Sequence, residues 1–379
     1  MKKFLCVLAC FTMAVSLAGC GGKDEKKDTK EIVMITDVGT IDDKSFNQGT
    51  YEGVKAYGKK NKVSYDYIKP QAKDKAAYDD AVDQAVKNGA KVIVTPGFLF
   101  EPTIFEKQDQ YKDVKFILID GYPNNGKYDD TRKENTGKNT VGIKYSEEQS
   151  GYLAGYAAVI DGSTKLGFMG GMAVPAVVNF GYGFLQGADA AAKELGVDVN
   201  VKYHYTGDFK ATPEVQAKAA GWYKEGIETI FACGGAVGNS VMAAAEANNP
   251  VGKVIGVDVD QSAESKTVIT SAYKLLAKSV EDQLTAIYDK KFQGGSNLVL
   301  GAKEGMVGIP MKTSKFTKFT EKEYDAIYKK LAAGEIKLVN STEVKVDAAG
   351  AKVLDEKGQT IMIEPADIKL EKVAVTEEK

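Results

Sequence analysis

The chain has 379 residues, with 50 Lys and Arg against 52 Asp and Glu, so its formal net charge is −2. That balance, with no basic stripe interleaved with aromatics, argues against a polyanion partner, and no nucleic-acid role is expected. One histidine and four cysteines leave too few soft ligands for zinc, so neither a metal nor a cofactor is expected.

The first predicted element is an export signal. Lys2 and Lys3 form a positive n-region, Phe4 to Leu17 an apolar h-region, and Leu17-Ala18-Gly19-Cys20 resembles the lipobox that closes a bacterial lipoprotein signal. The apolar run is too short to cross a bilayer and stay there. Residues 1–19 are therefore expected to be removed and Cys20 to be lipidated. Two or more acyl chains, at about 0.8 kcal/mol per buried methylene, then hold the protein at the extracytoplasmic face of the cell membrane. Cys6, Cys10 and Cys20 lie in or at the end of the signal, which leaves Cys233 alone in the exported part. With no internal disulfide, that part must stand on its hydrophobic core. Residues 20–30, charged and without apolar periodicity, read as a flexible tether.

From Glu31 onward short β-branched runs alternate with segments of helical period, the pattern of parallel sheets covered by helices, an α/β class. Strands are predicted at 32–35, 63–68, 91–95, 114–119, 165–169, 199–205, 229–233 and 253–257. Helices are predicted at 45–60, 76–87, 146–159, 177–195, 213–224 and 239–248. Asp74, Ser146 and Thr212 stand where N-caps belong, and Gly89 and Gly196 where helices stop. A later strand (266–270), helix (274–290), extended segment (299–310) and last helix (320–333) break the rhythm. They suggest lobe 1 from 31–142 plus 262–292 and lobe 2 from 143–261 plus 293–335, with three crossings forming a hinge. Residues 336–379, with alternating stretches at 343–346, 360–363 and 368–373, read as a small antiparallel β appendage.

Asp37, Asp120 and Asp258 each end a predicted strand, and ligands of open α/β sheets sit beyond the carboxyl ends of strands. A lone aspartate there is commonly a cap; three in equivalent places suggest one crevice. Gly167-Phe168-Met169-Gly170-Gly171 and Gly234-Gly235-Ala236-Val237-Gly238-Asn239 lack the Gly-Lys-Ser/Thr ending of a phosphate loop and read as strand-to-helix turns where backbone amides can approach a ligand. His204, in a strand pattern, reads as a lobe-edge residue, and Cys233 as a buried structural thiol. Trp222, the only tryptophan, lies in a predicted helix; facing outward, it would report poorly on lobe closure.

One enzyme class competes. Asp37-Val38-Gly39-Thr40-Ile41-Asp42-Asp43 partly matches the calcium-gathering aspartates of nucleoside hydrolases, but Ile35 stands where that pattern wants an aspartate, and the spacing is one residue short. A pair such as Asp42-Asp43 before a helix otherwise reads as cap and dipole complement.

The stretch from Asp37 through Asp43-Lys44-Ser45-Phe46-Asn47-Gln48 resembles the signature of the basic membrane protein family, the purine-nucleoside-binding lipoproteins of ABC importers. Ile119-Asp120, the 167–172 glycine turn, Phe180 to Gly187, Gly234-Gly235 and Gly256-Val257-Asp258-Val259-Asp260-Gln261 extend the likeness over residues 31–335. The resemblance implies a type I periplasmic-binding-protein fold of two Rossmann-like lobes, no catalysis, a nucleoside ligand, a membrane permease as partner, and a monomer. It also implies roles: Phe46 and Phe180 sandwich the base, Asn47 and Asp120 address its edge, and Asp258 and Lys274 take the ribose hydroxyls. Asp37 joins this ligand-binding set, and Gly234 and Gly235 complete the sugar contacts. An exported nucleoside-cleaving hydrolase, and a sugar-binding or signalling receptor of the same fold, remain the alternatives.

Overall fold

The computed structural model describes residues 29–127, 131–347, 350–355 and 360–378. The signal, Cys20 and the tether up to Asp28 lie outside them. Among the described residues no helix is long and apolar enough to cross a membrane.

The first half of the chain runs β1 (Ile32–Ile35), α1 (Phe46–Asn61), β2 (Tyr65–Ile68), α2 (Lys75–Lys87), β3 (Val92–Pro96), α3 (Glu101–Gln110), β4 (Lys115–Ile119) and β5 (Thr140–Tyr145). The second runs α4 (Glu147–Ile160), β6 (Lys165–Gly170), α5 (Pro175–Leu195), β7 (Val199–Tyr205), α6 (Pro213–Lys224), β8 (Thr229–Cys233), α7 (Val237–Ala247) and β9 (Lys253–Asp258). After these come β10 (Val268–Lys274), α8 (Leu276–Tyr288), β11 (Ser296–Leu300), β12 (Val307–Gly308), α9 (Glu321–Ala332) and β13 (Val373–Glu377). Two sheets result, ordered β11-β5-β4-β3-β1-β2 and β12-β10-β9-β8-β6-β7-β13, all parallel except the β10–β12 pair.

Strand pleating explains the layers. Along β1 the side chains of Ile32 and Met34 pack with Val54, Leu276 and Val280 of α1 and α8, while Val33 and Ile35 pack with Tyr78, Val82 and Ile104 of α2 and α3. Both faces are covered, so the strand is apolar throughout.

The lobe boundaries differ from expectation. The strand placed in lobe 1 at 266–270 is β10, which continues the parallel ladder from β9 in the second sheet; the following helix, α8, is what crosses and packs on α1. The single extended segment expected at 299–310 is cut by a turn, with Gly305 at φ 70° donating its N–H to Ala302. Its first half, β11, pairs with β5 in the first sheet, and its second, β12, with β10 in the second. The chain thus passes between sheets at 145–147, 274–276 and 300–307. These passages are bonded to one another: Ser146 N–H donates to Leu300 C=O (3.1 Å), Leu275 N–H to Met306 C=O (2.9 Å), and Ser150 Oγ to Gly308 C=O (2.7 Å).

Helices α4 and α5 touch backbone to backbone. A methyl added at Gly183 or Gly187 would stand 2.0 Å from the carbonyl oxygen of Glu148 or Tyr152, and one at Gly151 or Gly155 would stand 2.1 Å from that of Phe180 or Phe184. Glycine is required at all four positions by this close crossing, which fixes Glu147, Asn179 and Phe180 relative to one another.

Residues 336–378 are not only an appendage. Antiparallel bridges join Val344 to Met362, Val346 to Lys352 and Leu354 to Thr360, but the tail then enters the second sheet as β13, parallel to β7. Glu378 locks it: its carboxylate accepts from Trp222 Nε1 (3.0 Å), Lys202 Nζ (2.8 Å) and Lys218 Nζ (3.0 Å), while its carbonyl meets His204 Nδ1 at 2.7 Å. Trp222 is therefore buried under the tail rather than turned outward.

Candidate functional site

Asp37, Phe46, Asn47, Asp120, Phe180, Gly234, Gly235, Asp258 and Lys274 all line one cleft of about 340 Å³ between the lobes, a size that suits a small molecule. The first lobe contributes the turn after β1, the first turn of α1 and the end of β4. The second contributes α5, the turn after β8 and the ends of β9 and β10. Asp120 and Asp258 sit in the left-handed region at φ 57° and 66°, a conformation tolerated by aspartate that turns each side chain off its strand.

Lys274 holds the centre. Its buried ammonium donates to Asp120 Oδ2 at 2.5 Å and lies 3.5 Å from Asp258 Oδ1 and 3.6 Å from Glu147 Oε1. It also stands over the rings of Phe46 (4.7 Å), Tyr145 (5.3 Å) and Phe180 (5.6 Å). Burial works against this charge, but the attraction of Asp120, Asp258 and Glu147 outweighs it and raises the lysine pKa. Burial in turn pushes the Glu147 carboxyl up to about 8 and raises that of Asp120, with Lys274 opposing both shifts. Asp120 Oδ1 is buried with no hydrogen-bond partner, an acceptor turned to no protein donor. Asp258 Oδ2 accepts from Ser45 Oγ of the other lobe at 2.5 Å, and Gln261 Nε2 reaches the Lys44 carbonyl at 2.7 Å, so this pair of contacts ties the lobes together.

The Asp37–Asn47 corner is arranged differently from the expectation that Asn47 reads a base edge. Its amide nitrogen donates to Asp37 Oδ1 (2.8 Å) and Asp43 Oδ2 (3.1 Å), and its oxygen accepts from Asp37 N–H (3.3 Å). Both donors of the amide are therefore occupied, and Asn47 acts on Asp37. Burial, only partly offset by the Gly39 N–H and Asn47, pushes the Asp37 carboxyl up to about 6. Asp43 is the cap: its two oxygens accept from the N–H groups of Ser45, Asn47 and Gln48 besides the Asn47 amide. Asp42 is exposed and does not join it. Among the described residues no group of three or more His, Cys, Asp and Glu is placed to hold a metal ion.

Phe180 reaches the cleft wall but is 1% exposed, its ring meeting Phe231 edge to face at 6.0 Å. The more open ring on the second lobe is Phe209, in the turn after β7 against Gly171 and Gly235; Phe98, after β3, adds another from the first. Both stand just beyond strand ends, so the rule that singled out Asp258 also reaches them. Glu147 carried no such signal: an acid in a first helical turn reads as a dipole complement. Cys233 is buried at the cleft floor, where burial raises its thiol pKa and keeps it protonated.

The family Bmp, described as ABC transporter substrate-binding protein PnrA-like, matches residues 30–343. The ABC transporter nucleoside-binding protein BmpA of Lactococcus lactis subsp. cremoris is 28% identical over 82% of this chain and 92% of its own length. Basic membrane protein A1 of Borrelia garinii subsp. bavariensis is 30% identical over 89% of this chain and 96% of its own. A solved solute-binding protein of an Aeropyrum pernix ABC transporter superposes with a TM-score of 0.69 at 22% identity, covering 82% of this chain and 93% of that one. The fold is thereby the type I periplasmic-binding fold of such proteins.

Proposed function

The chain belongs to the Bmp family of ABC transporter substrate-binding proteins, and from that premise we propose that it is a lipid-anchored extracytoplasmic receptor for purine nucleosides. It closes its lobes on the ligand and passes it, unaltered, to a membrane permease. The observation that carries this reading is the buried cluster of Lys274, Asp120 and Asp258, which draws on both lobes and leaves Asp120 Oδ1 unpartnered in the cleft.

The chemistry fits a neutral ligand rich in N–H and O–H groups. Ribose hydroxyls donate to Asp258 and accept from Lys274, a purine N–H reaches Asp37 or Asp120, and Phe46 stacks on the base face. Phe209 is the better placed ring on the opposite lobe, with Phe180 supporting the wall behind Lys274. Calorimetry with guanosine, inosine, adenosine and cytidine tests the reading: uptake of the purine nucleosides supports it. Heat with a sugar or an amino acid but no nucleoside overturns it, and release of free base from inosine overturns the carrier role.

A further inference from the structure

We propose that Glu147 is a positioning residue for Lys274 and that Asn179 ties it to the C-terminal segment, so that residues beyond 336 set ligand affinity without touching ligand. The inference rests on the nucleoside-site reading above. The connection is continuous. Ser341 N–H donates to Asn179 Oδ1 (2.8 Å), Asn179 Nδ2 donates to Glu147 Oε2 (2.9 Å), and the other Glu147 oxygen lies 3.6 Å from Lys274 Nζ. Asn179 is the first rung of a polar ladder along one face of α5 that grips the same segment. Gln186 exchanges two hydrogen bonds of 2.9 Å with the backbone of Val339, Tyr182 donates to Ile363 C=O (2.6 Å), and Asp189 accepts from the N–H groups of Glu371 and Lys372. The spacing 179, 182, 186, 189 keeps every rung on one side of the helix. The segment is thus an intramolecular strap whose upper end is bonded into the cleft.

Glu147 is surrounded on every side. Lys274 of β10 and Asp120 beyond β4 face it from the cleft, Asn179 from α5 and Glu148 from its own helix, with Tyr122, Tyr145 and Cys233 close enough to feel its charge. While Glu147 holds its proton, the ammonium is shared by Asp120 and Asp258 and stays aimed into the cleft. When the proton leaves, a third full charge draws Lys274 toward α4 and away from the ligand.

Adenosine calorimetry on the full chain, at pH 7 and pH 9, decides the matter, because adenosine, unlike guanosine and inosine, carries no ring N–H that ionises in this range. For the wild type, affinity falls between the two, by up to about tenfold where the ionised form does not bind. E147A weakens binding about tenfold or more at pH 7. E147Q, which keeps the acceptor for Asn179 and cannot ionise, recovers affinity to within about threefold of wild type and abolishes the alkaline loss. N179L, which cuts the strap from Glu147, weakens binding about fivefold or more. Should E147A fail to fold by circular dichroism, the pH profile of E147Q decides by itself. An E147Q profile that falls as the wild type does, or an N179L protein that binds as the wild type does, overturns the inference while leaving the nucleoside reading intact. A wild-type protein that takes up no purine nucleoside at pH 7 overturns both.

Discussion

Replacing Glu378 by alanine removes the lock on the last strand, and its cost can be worked from the structure. Burial alone would raise this carboxyl, but Lys202, Trp222 and Lys218 outweigh it and hold the pKa at about 2. Against an ordinary glutamate at 4.5 the shift corresponds to roughly 3 kcal/mol, at about 1.4 kcal/mol per unit. The carboxylate is 26% exposed and its lysine partners partly so, and solvent screening brings the usable part to about 1–2 kcal/mol. Alanine also leaves the buried Trp222 N–H unpaired, which costs about 1 kcal/mol more. E378A should therefore lose about 2–3 kcal/mol in urea unfolding at pH 7, and E378Q, which can still accept from Trp222, about half of that. Because the carboxyl is depressed in the folded state, its ionic contribution is complete above pH 4.5 and is lost as the pH falls toward 2; that part of the E378A difference must fade over the window, leaving the Trp222 part. As the only tryptophan, Trp222 reports the event directly, its emission shifting to the red as β13 loosens. An E378A protein with the wild-type unfolding curve and unchanged emission would refute the assignment of the tail as an integral strand.

Glu147 behaves with the opposite sign: its folded pKa of about 8 lies above the unfolded value, so it favours folding less and less as the pH rises from 4.5 to 8. By pH 7 its burial costs up to about 3 kcal/mol, so E147Q should be more stable than wild type in urea at pH 7 and match it near pH 4.5. Substituting alanine at Gly183 forces a methyl to 2.0 Å from the Glu148 carbonyl oxygen and should cost about 3 kcal/mol or more by thermal unfolding, with a comparable loss at Gly187. The two second-lobe rings should separate cleanly: F180A loses about 3–5 kcal/mol of stability as a core truncation, whereas F209A keeps the melting temperature within a few degrees and loses nucleoside affinity in calorimetry.

Much of the frame was legible because a doubly covered parallel sheet writes itself as apolar runs of strand length. Predicted strands at 199–205 and 229–233 and the helix at 213–224 have the observed ends, and Asp74 and Thr212 cap their helices by accepting from Ala77 and Val215 N–H. β5 was missed because Gly142 and Lys144 interrupt its run, and α3 because Glu101–Gln110 is polar at most positions. The tail strand was hidden for another reason. β13 reads Val-Ala-Val-Thr-Glu at a sheet edge, with exposed positions, and what holds it is a carboxylate on residues far away in sequence. In the cleft, the acids at strand ends were legible from the residues, Phe46, Asn47, Phe180 and Lys274 came with the family resemblance, and Glu147 and Ser45 came with neither. Nothing local to Glu147 or Ser45 says that Lys274 and Asp258 lie beside them, since those contacts depend on how the lobes meet.

That meeting also bears on what the cleft accepts. Among the described residues lining it, Lys274 is the one buried cation, and its charge is met by Asp120 and Asp258; Lys69 and Lys210 stand exposed at the rim. A phosphate brings acceptors and negative charge into a space whose walls already carry Asp37, Asp43, Asp120 and Asp258, and Asp120 Oδ1 would face it with no donor between. A nucleoside brings the reverse, hydroxyl and ring N–H donors without charge. The protein's own cross-lobe contacts, Ser45 to Asp258 and Lys274 to Asp120, already hold the jaws in register. A ligand then shifts the population only by the affinity it gains in that arrangement over the open one, and a donor group matched to the unpaired Asp120 Oδ1 gains it where added negative charge forfeits it.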